Sequence, residues 1–183
     1  MLTQKQWQDV SNYSKSKLIS LFDPTIIFAE KKDLRTSMQM EYKGLYIYVE
    51  DSDGKKLSNK GFLQETADNV LNGIDTVIQN IFADLQSNNI PASKVKSGTC
   101  YFDLITSVDY MSDPLQWDEK KDGVYFMWGQ EYFSIFLSHQ IQKMGLSKIG
   151  ILDRLCVSAR LPSNLWKYPE GLCYKLVCSS YSS

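Results

Sequence analysis

The chain has 183 residues, 43% of them hydrophobic, 13% aromatic and 22% charged, the composition of an ordinary soluble globule rather than a disordered or fibrous chain. Twenty basic and twenty-one acidic side chains leave a formal net charge of −1, which gives little long-range attraction for a nucleic-acid backbone or an anionic membrane and disfavours both as partners. No apolar run approaches the ~20 residues that span a bilayer, and the polar start "MLTQKQWQDV" lacks the apolar core of a signal peptide, so a cytoplasmic protein is expected.

Thr3 and Gln6 have the spacing of a capping box, and Trp7, Val10, Leu18 and Leu21 share one stripe of a helix predicted over 4–22. Pro24 closes it, because proline disfavours helix in the residue before it. "GLYIYVE" (44–50) reads as a strand, and Asp53-Gly54 behind it as a hairpin turn. In "TADNVLNGIDTVIQNIFADLQ", Val70, Leu71, Ile74, Val77, Ile78, Ile81, Phe82 and Leu85 recur at helical spacing, with Thr66 as the expected N-cap. Gly73 beside that stripe costs about 1 kcal/mol of helix propensity relative to alanine, which a close approach to a neighbouring backbone would justify.

"SNNIPASKVKSG" reads as a polar loop and "TCYFDLITSV" as a strand, with Phe102, Leu104, Thr106 and Val108 on one face and Tyr101, Asp103 and Ile105 on the other. "GVYFMWGQEYFSIFL" reads as two strands joined across Gly129-Gln130, apolar enough to lie centrally in the sheet. Ser138 is expected to cap the helix "HQIQKM", which Gly145 ends, and Ser147 to cap another carrying Ile149, Leu152, Leu155, Cys156 and Ala159. "LPSNLW" begins a turn, "LCYKLVC" is a last strand, and residues 179–183 are expected to be a flexible tail. Hairpins with helices between them predict an α+β fold, a mostly antiparallel sheet with packed helices, in a single domain over 1–178.

Cys100, Cys156, Cys173 and Cys178 are too few and too irregularly spaced for a disulfide scaffold. Cys173 and Cys178 lie an odd five residues apart on a strand, hence on opposite faces, and one histidine is available to help them, which argues against a zinc site. "EDSDG" lacks the alternating oxygen ligands and the glutamate of a calcium loop, and "KGFLQET" lacks the glycines of a Walker loop, although Lys60 before a helix start could bind an anion weakly. The lysine pairs 31–32, 55–56, 94 with 96, and 120–121 read as solvated loops. His139 is the only candidate imidazole base, and Asp103 is a candidate carboxylate whose plainer reading is the solvent side of a half-exposed strand. No catalytic residue, metal or cofactor is assigned.

The segment from Asp122 to Trp166, "DGVYFMWGQEYFSIFLSHQIQKMGLSKIGILDRLCVSARLPSNLW", resembles the AMMECR domain family, named for an Alport syndrome, midface hypoplasia and elliptocytosis chromosomal region. Members carry a G-[VL] strand, a glycine hairpin, a strand ending L-L-P-x-V, a helix ending G-W, a helix with A-L-C-x-x-A-G-L-P, and a tryptophan four residues on. Gly123-Val124, Leu137, Gly145-Leu146, Leu155-Cys156, Ala159, Leu161-Pro162 and Trp166 fall in that order. Upstream, "GLYIYVEDSDGKKL" stands where members have G-V-F-V-T-L-K-K-D-G-x-L. The family hallmark L-R-G-C-I-G is replaced by "LSNKGFLQ", of which Leu57 and Gly61 are all that remain; Ser58, Asn59 and Lys60 stand where the resemblance expects the cysteine. Ser138 and His139 replace a proline and a glutamine-like residue, and Cys156 matches a family position on a helix's apolar face.

The resemblance implies an AMMECR-like fold and, with the hallmark lost, an accessory or protein-binding role rather than covalent catalysis. Family analogy names Memo-like or radical-SAM proteins as partners. The alternative is an enzyme or small-ligand protein with a site rebuilt near residues 57–64 from Ser58, Asn59, Lys60 and Gly61, with Asp103 and His139.

Overall fold

The Thr3 hydroxyl oxygen accepts a hydrogen bond from the Gln6 amide at 3.3 Å while the Thr3 amide donates to Gln6 Oε1 at 2.8 Å, so the expected capping box starts helix α1, Gln4–Phe22. Asp23 ends it in extended backbone, next to Pro24. The structure, a computed structural model, describes residues 2–28 and 34–182, the side chains of 64–68 excepted; Lys31 and Lys32 lie outside the described residues. A short helix α2, Leu34–Ser37, leads into strand β1, Gln39–Glu50.

The predicted hairpin forms between β1 and β2, Lys56–Asn69, which pair antiparallel through contacts such as Ile47 with Lys60 and Val49 with Ser58. Asp51 builds the turn: its carboxylate accepts from the amides of Asp53 at 3.1 Å and Lys55 at 2.9 Å, and Gly54 takes the positive φ of +76°. Helix α3, Val70–Ser87, then starts later than expected. Thr66 lies within β2, its side chain outside the described residues, and the N-cap is Asn69, whose Oδ1 accepts from the amides of Leu71 and Asn72 while its Nδ2 donates to the Arg35 carbonyl. Both residues have capping chemistry, and tertiary pairing of β2 with β1 through Gln39 opposite Asn69 decides between them.

The polar stretch behind α3 is more ordered than a loop. Asn89 takes φ +54°, its amide donates to Gln86 and the Ile90 amide to Leu85, which makes a Schellman turn with asparagine at the left-handed position. A short helix α4, Ala92–Ser97, follows, then strands β3, Thr99–Tyr110, β4, Asp122–Trp128, and β5, Tyr132–Phe136. Helices α5, Ser138–Met144, and α6, Lys148–Ser158, precede a 3-10 turn at Leu165–Lys167 and strand β6, Gly171–Ser182. Strand order is β2-β1-β3-β6-β4-β5, and β4 pairs antiparallel with both β5 and β6. The fold is α+β, as expected. Among the described residues β5 is an edge strand rather than a central one, because its hairpin with β4 has no strand beyond it.

The chain divides into two compact units, Met1–Leu104 with Ser179–Ser183, and Ile105–Cys178, where the sequence suggested one domain over 1–178. In the first, α1 and α3 bury Val10, Leu18, Val70, Leu71, Ile74, Ile78 and Ile81 with Leu45, Ile47, Val49, Phe102 and Leu104 of the strands. Asp75 on α3 ties this unit's helices together: it accepts from Tyr13 Oη at 2.6 Å and pairs with Lys17 at 2.5 Å and Arg35 at 3.1 Å. Burial works to raise its carboxyl, but these three donors together outweigh burial and hold it below the usual carboxylate range. Gly73 is buried as predicted to permit a close approach, yet the neighbours are side chains: a Cβ there would lie 2.3 Å from Tyr42 Oη and 3.1 Å from the Phe62 ring.

Residues 179–182 are not a frayed tail. They extend β6, where Tyr181 stacks on Trp7 with ring centroids 5.6 Å apart and Ser180 donates to Asp103. Polar composition alone suggested fraying; an aromatic stack and a hydrogen bond to a buried carboxylate hold the segment in place.

In the second unit, α5 and α6 pack Ile141, Ile151, Leu152, Leu155 and Cys156 on Val124, Phe126 and Cys173, with Trp166 closing the core and donating to Asp153 at 2.7 Å. Ser147 caps α6 through the Gly150 amide as expected. Ser138 is the first residue of α5 rather than its cap; Leu137 holds the cap position, and its amide donates to Gln140 Oε1 at 2.9 Å.

Candidate functional site

β2 places Ser58 and Lys60 two residues apart, hence on one face, and that face meets Asp84 on α3. Ser58 Oγ donates to Asp84 Oδ2 at 2.6 Å and Lys60 Nζ lies 3.1 Å from Oδ1, so one carboxylate engages both side chains through its two oxygens. Asp84 sits one turn from the C-terminus of α3, where the helix dipole disfavours negative charge; the two donors offset that cost. The hydrogen bond from Ser58 is the largest influence on its carboxyl, burial opposes it, and Lys60 and Lys56 add to the lowering, so Asp84 is held below the usual carboxylate range.

A groove of about 510 Å³ opens beside this cluster, lined by Lys56, Leu57, Ser58, Asn59 and Lys60 on one side and Asp84, Asn88 and Ile90 on the other. Asn88 and Ile90 are set in place by the Schellman turn, and Asn88 Nδ2 also donates to the Asp84 carbonyl at 2.8 Å. Asn59 and Gly61 belong to the opposite face of β2, across from Tyr48 and Tyr46. A Cβ at Gly61 would sit 2.3 Å from the Tyr46 ring, so this glycine gives room to an aromatic side chain rather than to a ligand. Asn59 Oδ1 is buried with no hydrogen-bond partner among the described residues.

The other sequence candidates have different surroundings. Asp103 is not on a solvent side: it is 0% exposed and its Oδ1 accepts from Ser180 at 2.5 Å. Alternation predicted a half-exposed strand, but Phe102, Asp103, Leu104 and Ile105 are all buried, so β3 is inaccessible on both faces here. His139 is the second residue of α5, half-buried, and belongs to the second unit, whereas Ser58 to Gly61 and Asp103 belong to the first. Of the six candidates, the structure brings together Ser58 and Lys60, on Asp84.

Asp84 itself was not singled out from sequence. It lies 26 residues from Ser58, and no local pattern links them; the available signal was period-2 spacing of Ser58 and Lys60 on a strand followed directly by a helix.

Burial is the largest influence on the Cys156 and Cys173 thiols and raises both, Cys173 to about 12, so neither supplies a thiolate near neutrality. Among the described residues no group of three or more His, Cys, Asp or Glu is placed to hold a metal, and no helix is long and apolar enough to cross a membrane.

No protein-family model matches the chain, and no curated protein matches it. Among solved structures it is similar to the crystal structure of the uncharacterized protein PH0010 from Pyrococcus horikoshii, with a TM-score of 0.77 and 14% identity, covering 100% of this chain and 93% of that one. At that identity the likeness shows the fold alone.

Proposed function

We propose that the chain is a divergent AMMECR-like protein that works in the cytoplasm by binding, as an accessory or protein-binding component, rather than by covalent catalysis. The observation that carries this reading is the Ser58–Asp84–Lys60 cluster. Ser58 donates a hydrogen bond to a carboxylate held below the usual range by that same bond and by Lys60. Such a carboxylate is a weak base near neutrality, so the hydroxyl gains little nucleophilicity. Where the resemblance expects a cysteine, the segment offers a serine, an amide and an ammonium, and no thiol.

A second reading, a small-ligand site, draws on the groove's volume of about 510 Å³, within the ordinary range for small-molecule sites. Its lining is predominantly polar, whereas such sites are mostly apolar, so it stands second.

The test is to purify the chain with proteins encoded beside it, Memo-like and radical-SAM proteins first, and to look for a stable complex by size-exclusion chromatography with light scattering. A complex that Ser58→Ala leaves intact supports the reading. No complex with any candidate, or a turnover that Ser58→Ala abolishes, counts against it.

A further inference from the structure

We propose that the free edge of β2 at Lys56–Lys60 accepts an extended, acidic segment of a partner protein as an added strand. This rests on the accessory reading above and specifies where and how the partner is held. β2 ends the strand order, so among the described residues no strand lies beside one side of its backbone. Successive strand residues point to opposite faces, and a groove lined by all five residues from Lys56 to Lys60 therefore follows the backbone edge rather than either face. The facing wall, Asp84, Asn88 and Ile90, is fixed by the end of α3 and its Schellman turn. An edge strand presents unpaired N–H and C=O groups, which an extended peptide satisfies by strand addition. Five residues of strand span about 16 Å, the reach of a short linear segment.

The charges select the occupant. Lys56 and Lys60 share the lining with one carboxylate, Asp84, leaving one positive charge over, which an acidic side chain on the incoming strand complements. A second copy of the chain fits the edge less well: two-fold antiparallel pairing centred on Ser58, the register that matches all five residues, would set Lys56 of each copy opposite Lys60 of the other, and like charges directly opposite destabilise a sheet.

The probe is a synthetic eight-residue peptide alternating valine and glutamate, titrated into the isotope-labelled full chain and followed by amide chemical shifts and hydrogen exchange. One control peptide carries lysine in place of glutamate. The other keeps the glutamates but has alternate backbone nitrogens methylated, which preserves charge and removes strand hydrogen bonding.

With the glutamate peptide the amides of residues 56–60 shift and gain protection, and neither control binds there. Lys56 takes part in no ion pair among the described residues and is the smallest of the influences on Asp84, so Lys56→Gln tests the charge while leaving the Ser58 and Lys60 contacts of Asp84 in place; it weakens binding by up to about fivefold. Equal binding of the methylated peptide, perturbation centred elsewhere, or none at millimolar peptide overturns the proposal. Concentration-dependent shifts of the same amides without peptide also overturn it, by giving the edge to a second copy. A pathway complex that survives both Lys56→Gln and excess glutamate peptide refutes the edge and leaves the accessory reading standing; peptide binding at the edge with no pathway complex does the reverse.

Discussion

Gly73→Ala is expected to destabilise the protein although it improves the intrinsic helix propensity of α3. The added Cβ would lie 2.3 Å from Tyr42 Oη, and an ordinary contact needs about 3.5 Å, so the hydroxyl must retreat by roughly 1.2 Å. Tyr42 is 2% exposed and donates to the Asn69 carbonyl at 3.3 Å, so it has no free space to take. Overpacking costs about 1–3 kcal/mol, the disturbed hydrogen bond about 1 kcal/mol, and alanine returns about 1 kcal/mol of propensity. The net loss is therefore about 1–3 kcal/mol. Urea unfolding reads it as a lower midpoint at unchanged slope. Adding Tyr42→Phe removes the clashing oxygen, so the double variant loses less than the sum of the two single losses, by about 0.5–3 kcal/mol. A Gly73→Ala protein that is more stable than the parent would refute the reasoning.

At the Schellman turn, Asn89→Ala forces a left-handed backbone on a residue that resists it and costs about 1 kcal/mol, whereas Asn89→Gly is neutral or stabilising; thermal unfolding of the two variants checks this. The folded-state carboxyl of Asp75 lies below its unfolded value, so its stabilising contribution is fully present above the ordinary carboxylate range and is lost as pH falls through the lowered folded value. The stability difference between the parent and Asp75→Asn should accordingly shrink below about pH 4 in urea titrations. Thiol labelling of the native chain should modify Cys178 first and leave the buried Cys100, Cys156 and Cys173 protected until unfolding; early labelling of Cys173 would contradict its packing. Ser180→Ala removes a donor from the buried Asp103 carboxylate and should cost about 1–3 kcal/mol in the same unfolding assay.

What sequence conveyed were features whose causes are local. The Thr3–Gln6 capping box, the Asp53-Gly54 turn and the apolar stripe of α3 each depend on residues within a few positions of one another, and each appears where the pattern placed it. Features decided at long range escaped. Thr66 and Asn69 both have capping side chains, and the pairing of β1 with β2 as far as Asn69 decides between them. Residues 179–182 look like a polar end until Trp7 supplies a ring for Tyr181. Asp103 looks like a surface carboxylate until Ser180, 77 positions later, donates to it.

The candidate site divides in the same way. Ser58 and Lys60 were within reach because a strand's two-residue period puts them on one face, and Asp84 was not, because the contact depends on how α3 folds back over β2. Gly61 drew attention as a remnant of a motif, and the Tyr46 ring accounts for it by packing.

The measurement closest to the central claim is complex formation between the full chain and the proteins encoded beside it, made in parallel with the parent and Ser58→Ala by size-exclusion chromatography with light scattering. Binding without dependence on the Ser58 hydroxyl predicts the same stoichiometric complex from both. Absence of a complex with every candidate, together with a turnover that disappears in Ser58→Ala, would contradict it and make the Ser58–Asp84–Lys60 cluster catalytic.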